Sequence, residues 1–282
     1  MNKIFKPQII ILLVLFAVAL YVGVLLYKTT AATEEVSLSF LDVGQGDSEF
    51  ISIPGMRMMI DGGPPRAVLG ALASILPPTE RTIDILLMSH PELDHFGGFI
   101  DILKIYDVRL FVSSGRTKDT KSYGELSALV KNKNIPWVTL EEGDSIDYGD
   151  YHFAVLGPSP AELKNKAVNE SSLVLMLTGP YFSALYTGDI GEATERRLVK
   201  DYDLDIDILK VPHHGSRFSS SEAFLSEITP LYAITEVGRN SYGHPTKETL
   251  SRLGSAAETI LRTDQNGTIT LMSTKEGIVQ EK

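Results

Sequence analysis

Directly after a continuous apolar run, Ile83–Ser89, the chain reads His90-Pro91-Glu92-Leu93-Asp94-His95-Phe96-Gly97-Gly98. Two imidazoles and two carboxylates within six residues are more ligating groups than a solvated turn needs, and a divalent cation requires that density. A buried strand ending on such a loop constrains the fold, because layered α/β domains form their ligand sites at strand ends. Gly97-Gly98 lets the backbone turn tightly behind the ligands. The competing reading is a polar turn in which Asp94 caps a helix.

Three further segments share this placement. Thr187-Gly188-Asp189-Ile190 follows the apolar run Tyr181–Tyr186, so Asp189 reads either as a ligand or as a plain N-cap. Lys210-Val211-Pro212-His213-His214-Gly215-Ser216 puts paired imidazoles at another strand end; the alternative is one core and one solvent-facing histidine. Asn240-Ser241-Tyr242-Gly243-His244-Pro245 is a loop able to present His244 to a phosphate or a metal. Five of the six histidines lie in these segments, and only His152, mid-strand in Tyr151-His152-Phe153, reads as structural. A faint internal echo links two of them. His90 lies seven positions after the first Ile of Ile83-Asp84-Ile85-Leu86, and His213 seven after that of Ile206-Asp207-Ile208-Leu209.

Around these loops the chain alternates strand-like and helix-like runs. Val36–Asp42, Glu49–Ile53 and Met56–Ile60 open it as a β-meander, and Ala67–Leu76 and Phe99–Tyr106 have helical spacing. Residues 113–136 read as surface helix and loop. Strands at Trp137–Leu140, Tyr151–Leu156, Leu173–Leu177, Tyr181–Tyr186, Ile206–Val211, Leu231–Thr235, Thr259–Leu261 and Thr268–Leu271 follow, with helices at Glu192–Lys200, Ser220–Ile228 and Lys247–Leu253. Strands in both halves with helices outside them predict one layered α/β domain over residues 33–282.

Composition narrows the chemistry. The absence of cysteine excludes disulfides, thiolate-bound zinc and a thiol nucleophile. The 26 Lys+Arg include Lys3, Lys6 and Lys28, so residues 33–282 hold 23 basic residues against 36 acidic ones, a net charge of −13. That balance argues against nucleic-acid binding through a broad basic face, but leaves open an enzyme that meets phosphates through a metal. Residues 8–27 carry no charge and have the length of a membrane-spanning helix. Thr30-Ala31-Ala32 offers the rival reading, a cleaved signal and a secreted domain. The apolar run exceeds a usual signal core and favours an uncleaved anchor. Residues 1–32 then form a cytoplasmic tip, anchor and short linker, with the domain extracytoplasmic because Lys3 and Lys6 outweigh Lys28.

The order HxxxxDH, GD, HHGS resembles the metallo-β-lactamase superfamily. More closely, FLDVGQGDS (Phe40–Ser48), IDGG (Ile60–Gly63), SHPELDHFGG, NESSLVL (Asn169–Leu175), TGDI, LKVPHHGS and NSYGHP resemble the hydrolase domain of ComEC-type competence proteins, the DNA-uptake channels. The resemblance runs from about Val36 to the end of the chain and implies an αββα sandwich with metal between two sheets. It implies that His90, Asp94, His95, Asp189 and one of His213 and His214 are ligands, with Asp189 bridging two metals. Asp61 would hold ligand imidazoles from behind. Asp42, Gln45 and Asp47 belong to the motif of the ComEC-like branch and are expected at the site rim. The catalytic candidates are Asp94, Lys210, His214 and His244, with Lys210 and His244 contacting phosphate.

Two positions depart from the wider superfamily: Glu92 stands where it has a second histidine, and Asn169 where it has a third. Oxygen donors favour harder ions, so Mn²⁺ gains on Zn²⁺, as one or two ions. No nucleotide cofactor is expected. The implied reaction is attack of a metal-activated water on a phosphodiester, with DNA as substrate. A single apolar segment makes no channel, so the chain is either a free-standing hydrolase tethered at the surface or docks on a separately encoded channel protein. Hydrolysis of another phosphoester, such as choline-phosphate or a small nucleotide, and a non-catalytic ectodomain stabilised by metal are the alternatives.

Overall fold

The computed structural model describes residues 12–23 and 36–281. Eight strands form one sheet: β1 (Val36–Phe40), β2 (Glu49–Ile53), β3 (Met56–Ile60), β4 (Thr82–Met88), β5 (Asp107–Ser113) and β6 (Trp137–Thr139), then two returning at the end of the chain. The second sheet holds β7 (Ser145–Tyr148), β8 (Tyr151–Gly157), β9 (Val174–Gly179), β10 (Phe182–Tyr186), β11 (Ile208–Lys210), β12 (Tyr232–Thr235) and β13 (Thr259–Arg262). The returning strands, β14 (Ile269–Thr274) and β15 (Gly277–Gln280), extend the first sheet to the order β15-β14-β1-β2-β3-β4-β5-β6. The second sheet runs in the order β13-β12-β11-β10-β9-β8-β7. The chain therefore crosses from one sheet to the other between β6 and β7 and returns between β13 and β14.

Three apolar layers explain the stacking. Inward-facing side chains of both sheets, among them Phe40, Ile51, Leu87, Phe153, Leu175, Tyr186 and Ile208, make the core between them. A second layer, with Leu72, Phe99, Ile102, Phe111 and Leu126, packs helices Val68–Ile75, Phe99–Ile105 and Lys121–Asn132 on the outer face of the first sheet. A third, with Leu185, Leu198, Leu209, Phe224 and Leu253, does the same for helices Glu192–Asp201, Glu222–Ile228 and Lys247–Ala256. Strands buried on both faces read as near-continuous apolar runs, which is the character of Ile83–Ser89. The result is the expected α/β/β/α sandwich.

In each sheet parallel pairing brings strand ends to one edge. β3, β4, β5 and β6 pair in parallel, as do β10, β11, β12 and β13. The echo noted in the sequence has a structural counterpart. Asp84 on β4 accepts the backbone N–H of Arg57 at 2.8 Å, and Asp207 just before β11 accepts that of Ser183 at 2.7 Å. Each aspartate thus ties its strand to the parallel neighbour, and each strand then delivers a histidine to the site.

The structure departs from the sequence reading in three strands. β5 lies within Asp107–Ser113, where no strand is expected, because Asp107 and Arg109 mask a run whose second half is buried. β7 and β15 are four-residue strands, the first largely exposed and the second only half-buried, and neither carries a clear alternating apolar signal. At the amino end, residues 12–23 form a helix with exposed apolar side chains, including Leu13, Phe16 and Tyr21. Among the described residues no helix is long and apolar enough to cross a membrane. Most of the remaining tip, anchor and linker, residues 1–11 and 24–35, lies outside the described residues.

Candidate metal centre

The ends of β3, β4, β10 and β11 bring Asp61, His90 with Asp94 and His95, Asp189, and His213 with His214 to one place between the sheets. Asp61 sits one residue beyond β3 in a left-handed conformation, φ 51°. Its carboxylate accepts from Ser89 N at 2.8 Å and Ser89 Oγ at 2.5 Å, and lies 2.7 Å from His95 Nδ1. With Nδ1 engaged, His95 turns Nε2 to within 3.4 Å of Asp189 Oδ2. His214 is fixed in the same manner: Nδ1 lies 3.0 Å from the carbonyl of Glu236, leaving Nε2 free. A nitrogen facing a carbonyl must donate, so Nδ1 of His214 carries a hydrogen and Nε2 is the nitrogen turned toward Asp189.

His213 and His214 both adopt left-handed backbone angles, φ 51° and 53°, an arrangement costly for residues bearing a Cβ. Tertiary contacts hold this strain, and it aims both rings at Asp189. The Nε2 atoms of His95, His214 and His213 stand 3.4, 3.6 and 3.8 Å from Asp189 Oδ2. His214 Nε2 is also 3.7 Å from Asp94 Oδ2. Two donors each bound to one ion at about 2.1 Å in tetrahedral geometry lie roughly 3.4 Å apart. The spacing is therefore that of a coordination shell.

The donor set fits a divalent cation on a second ground. His90 Nε2, His95 Nε2, His214 Nε2 and Asp189 Oδ1 are buried and have no hydrogen-bond partner. Orphaned polar atoms of this kind are costly in a protein interior unless a further group satisfies them. Asp94, His95 and His214 form one three-residue grouping of ligand atoms, and Asp47, His95 and Asp189 another. His214 thus stands with Asp94, His95 and Asp189. His213, half-buried, lies 3.4 Å from Asn169 Nδ2, which itself reaches Asp189 at 3.5 Å.

The acidic surroundings favour positive charge at this point, a proton on the imidazoles or a cation in its place. Burial opposes charge on His95, but Asp189, Asp47 and Asp61 outweigh it and hold that imidazole well above its usual range. His214 is raised to about 10 against burial, by Asp189 and Asp47. Asp189 is driven well below the carboxylate range despite burial, by His214 and His95. His90 goes the other way: burial, then the His95 charge, pushes it down to about 3, so it is a neutral donor.

Several expected site residues occupy different positions from those anticipated. Lys210 is fully buried and forms an ion pair with Asp47, with a second contact to the Gly188 carbonyl at 3.2 Å. It does not reach an open surface, and its ammonium balances buried carboxylates instead of contacting phosphate. Asp47 is likewise not at the rim: it is wholly buried, 3.1 Å from His214 Nδ1 and 3.6 Å from His95 Nδ1. Glu92 turns away to pair with Lys118. Asp42 is exposed and accepts from Gly44 N at 3.3 Å within its own loop, whereas Gln45 accepts from Gly238 N at 3.4 Å. His244 is half-buried, with its ring 5.6 Å from that of His213.

The same loop positions Asp94. Asp47 N donates to the Asp94 carbonyl at 3.2 Å, and a Cβ on Gly46, φ 143°, would collide with that oxygen. Glu49 and Glu236 are buried functional neighbours that the sequence reading missed. Their carboxyls come within 4.8 Å of Asp47, and Ser48 N donates to Glu236 at 3.0 Å. Burial and mutual repulsion raise Glu49 well above the carboxylate range, and burial with the Asp47 charge lifts Glu236 to about 8. Glu236 directly follows an apolar strand, the signal that singled out Asp189.

This sandwich, with imidazoles and carboxylates converging at strand ends from both sheets, defines a metal-dependent hydrolase scaffold, and the chain belongs to the metallo-β-lactamase superfamily. The family described as Beta-lactamase superfamily domain matches residues 56–217. Among curated proteins, ComE operon protein 3 of Bacillus subtilis (strain 168) is 32% identical over 266 residues, covering 87% of this chain and 34% of that protein. Competence protein ComA of Neisseria gonorrhoeae is 30% identical over 259 residues, covering 90% and 35%. The chain thus spans about a third of the length of these relatives. Of solved structures, the metallo-beta-lactamase fold protein YhfI from Bacillus subtilis superposes with a TM-score of 0.55 at 10% identity, covering 80% of this chain and 95% of that one. The fold implies a bound divalent metal.

Proposed function

We propose that this protein is a metal-dependent phosphodiesterase that cleaves DNA, held at the membrane through residues 8–27 with its hydrolase domain, residues 33–282, extracytoplasmic. One observation carries the chemistry: three imidazole nitrogens and a carboxylate oxygen are buried, unpartnered and drawn from both sheets. The names of the competence-protein relatives support DNA as the substrate. Action beside a channel protein belongs to the same proposal.

In this reading His90, Asp94, His95, Asp189 and His214 hold one or two ions, with His213 and Asn169 at the open side. A cation bound there supplies Lewis acidity to a phosphoryl oxygen and acidifies water. Asp61 and the Glu236 carbonyl orient His95 and His214 so that each presents Nε2. Asp47, paired with Lys210, carries compensating charge behind both rings. In the same reading His244, whose ring lies 5.6 Å from that of His213, meets a phosphate oxygen or donates to a leaving group. The carboxylates among the donors favour Mn²⁺ over Zn²⁺.

The test is a titration of chelated protein with Mn²⁺ and Zn²⁺ against labelled single- and double-stranded DNA and phosphocholine esters. Metal-dependent cleavage of DNA, with Mn²⁺ at least as effective as Zn²⁺, is expected. Turnover of the choline ester alone would reassign the substrate, and binding of metal without hydrolysis of any phosphodiester would leave a non-catalytic ectodomain.

A further inference from the structure

Beside the metal centre two aromatic rings lie open to solvent. Phe218 is 67% exposed and Tyr242 is 73% exposed, and both border one groove. Together with Arg217 and His244 they line a groove of about 340 Å³. The Arg217 guanidinium lies 4.8 Å from the centre of the Phe218 ring. From this groove a run of rings leads inward. Tyr242 and His244 are 5.7 Å apart between centroids, His244 and His213 5.6 Å, and His213 and His214 6.2 Å. The groove, lined by His244, therefore stands one ring contact from His213, which faces Asp189.

Charge decides what this groove can hold. Residues 33–282 carry a net −13, so phosphate–backbone attraction cannot supply most of the affinity for a nucleic-acid strand. Stacking on aromatic rings does not depend on net charge, accepts any base, and gains from a guanidinium in the stack. A duplex hides the faces of its bases, whereas an unpaired base presents both.

Resting on the phosphodiesterase reading above, we infer that Phe218, Tyr242 and Arg217 form a stacking slot for an unpaired nucleobase adjoining the scissile phosphate, which makes single-stranded nucleic acid the preferred substrate. The slot takes the base, His244 lies between it and His213, and the phosphate on the inner side of that nucleotide reaches the metal-binding residues.

The experiment measures binding without turnover. The full chain in EDTA is titrated into a fluorescein-labelled octathymidylate, the same strand with abasic sites, and its duplex with oligo(dA), with anisotropy as the readout. The thymidine strand is expected to bind about tenfold or more tightly than the abasic strand, from stacking of one or two bases. The difference should fall to within twofold in F218A/Y242A and return in F218W/Y242F. Both side chains are exposed, so neither substitution threatens folding. Equal affinity for the thymidine and abasic strands, a difference that survives F218A/Y242A, or a preference for duplex would overturn the slot. Hydrolysis of bis(p-nitrophenyl) phosphate with Mn²⁺ is read separately. Base-dependent binding without it would keep the slot and defeat the phosphodiesterase reading; hydrolysis without base-dependent binding would do the reverse.

Discussion

The Asp61 carboxylate lies 2.7 Å from His95 Nδ1, and this contact fixes which ring nitrogen of His95 faces Asp189. The same carboxylate also accepts from both the backbone and the hydroxyl of Ser89, so one side chain anchors two consecutive segments of the site. Asp61→Ala should weaken Mn²⁺ binding by about 10–100-fold, the range for a residue that orients a ligand from behind. Calorimetric titration of chelated protein checks it, and unchanged affinity would remove Asp61 from the metal centre.

Asp189 has a different weight because its oxygens meet three imidazoles. Asp189→Ala should lower metal-dependent hydrolysis by about a hundredfold or more, beyond the effect expected for outer partners. Circular dichroism should report an intact fold. Full activity in this variant would dismiss any bridging role.

Gly46 tests the loop that seats Asp94. Its backbone, φ 143°, lies where residues with a Cβ are strained, and the added methyl would strike the Asp94 carbonyl. Gly46→Ala is expected to cost roughly 1–3 kcal/mol in urea unfolding and to weaken metal binding along with it. A loss of stability with metal affinity intact would show that the loop supports the fold alone.

Glu236 makes a prediction about pH. Its carboxyl is raised from 4.5 to about 8 by burial and the Asp47 charge. Between those values the folded chain holds a proton that the unfolded chain has released. Its contribution is therefore fully present below pH 4.5 and is lost as pH rises toward 8. Glu236→Gln removes this dependence, so the variant should gain on the parent protein by on the order of 1–3 kcal/mol between pH 5 and pH 8. Urea midpoints of both proteins in EDTA measure it; a parallel pH response would refute the protonated carboxyl.

His152 is the negative control. It lies on β8 with half its side chain exposed, 2.6 Å from Asp147 on the neighbouring β7. His152→Ala should leave turnover unchanged, and a large loss would assign it a role the sandwich gives no reason to expect.

Much of the centre was legible because its residues stand where apolar runs stop. His90, Asp189 and His213 each follow a buried strand, and parallel pairing carries those strand ends to one edge. The roles of Asp47 and Lys210 were not legible. Each is a charged residue in a polar-looking motif, and only the three-dimensional pairing shows that both are buried against each other. β5 escaped for a related reason: charges at its exposed start hide a buried end, and alternation cannot be read through them. That both His213 and His214 face Asp189 depended on backbone angles, since adjacent residues normally point apart; the grouping of His214 with Asp94 and His95 is visible only in three dimensions.

The single outward and single return crossing between the sheets divides the candidate centre by sequence. Asp61, His90, Asp94 and His95 come before residue 141, and Asn169, Asp189, His213 and His214 after residue 144. Neither length of polypeptide contains the whole of the proposed ligand set. On the proposed function, a chain nicked in that connector should be silent as separate fragments and regain hydrolysis when the two pieces reassociate, so turnover would report whether the halves have met.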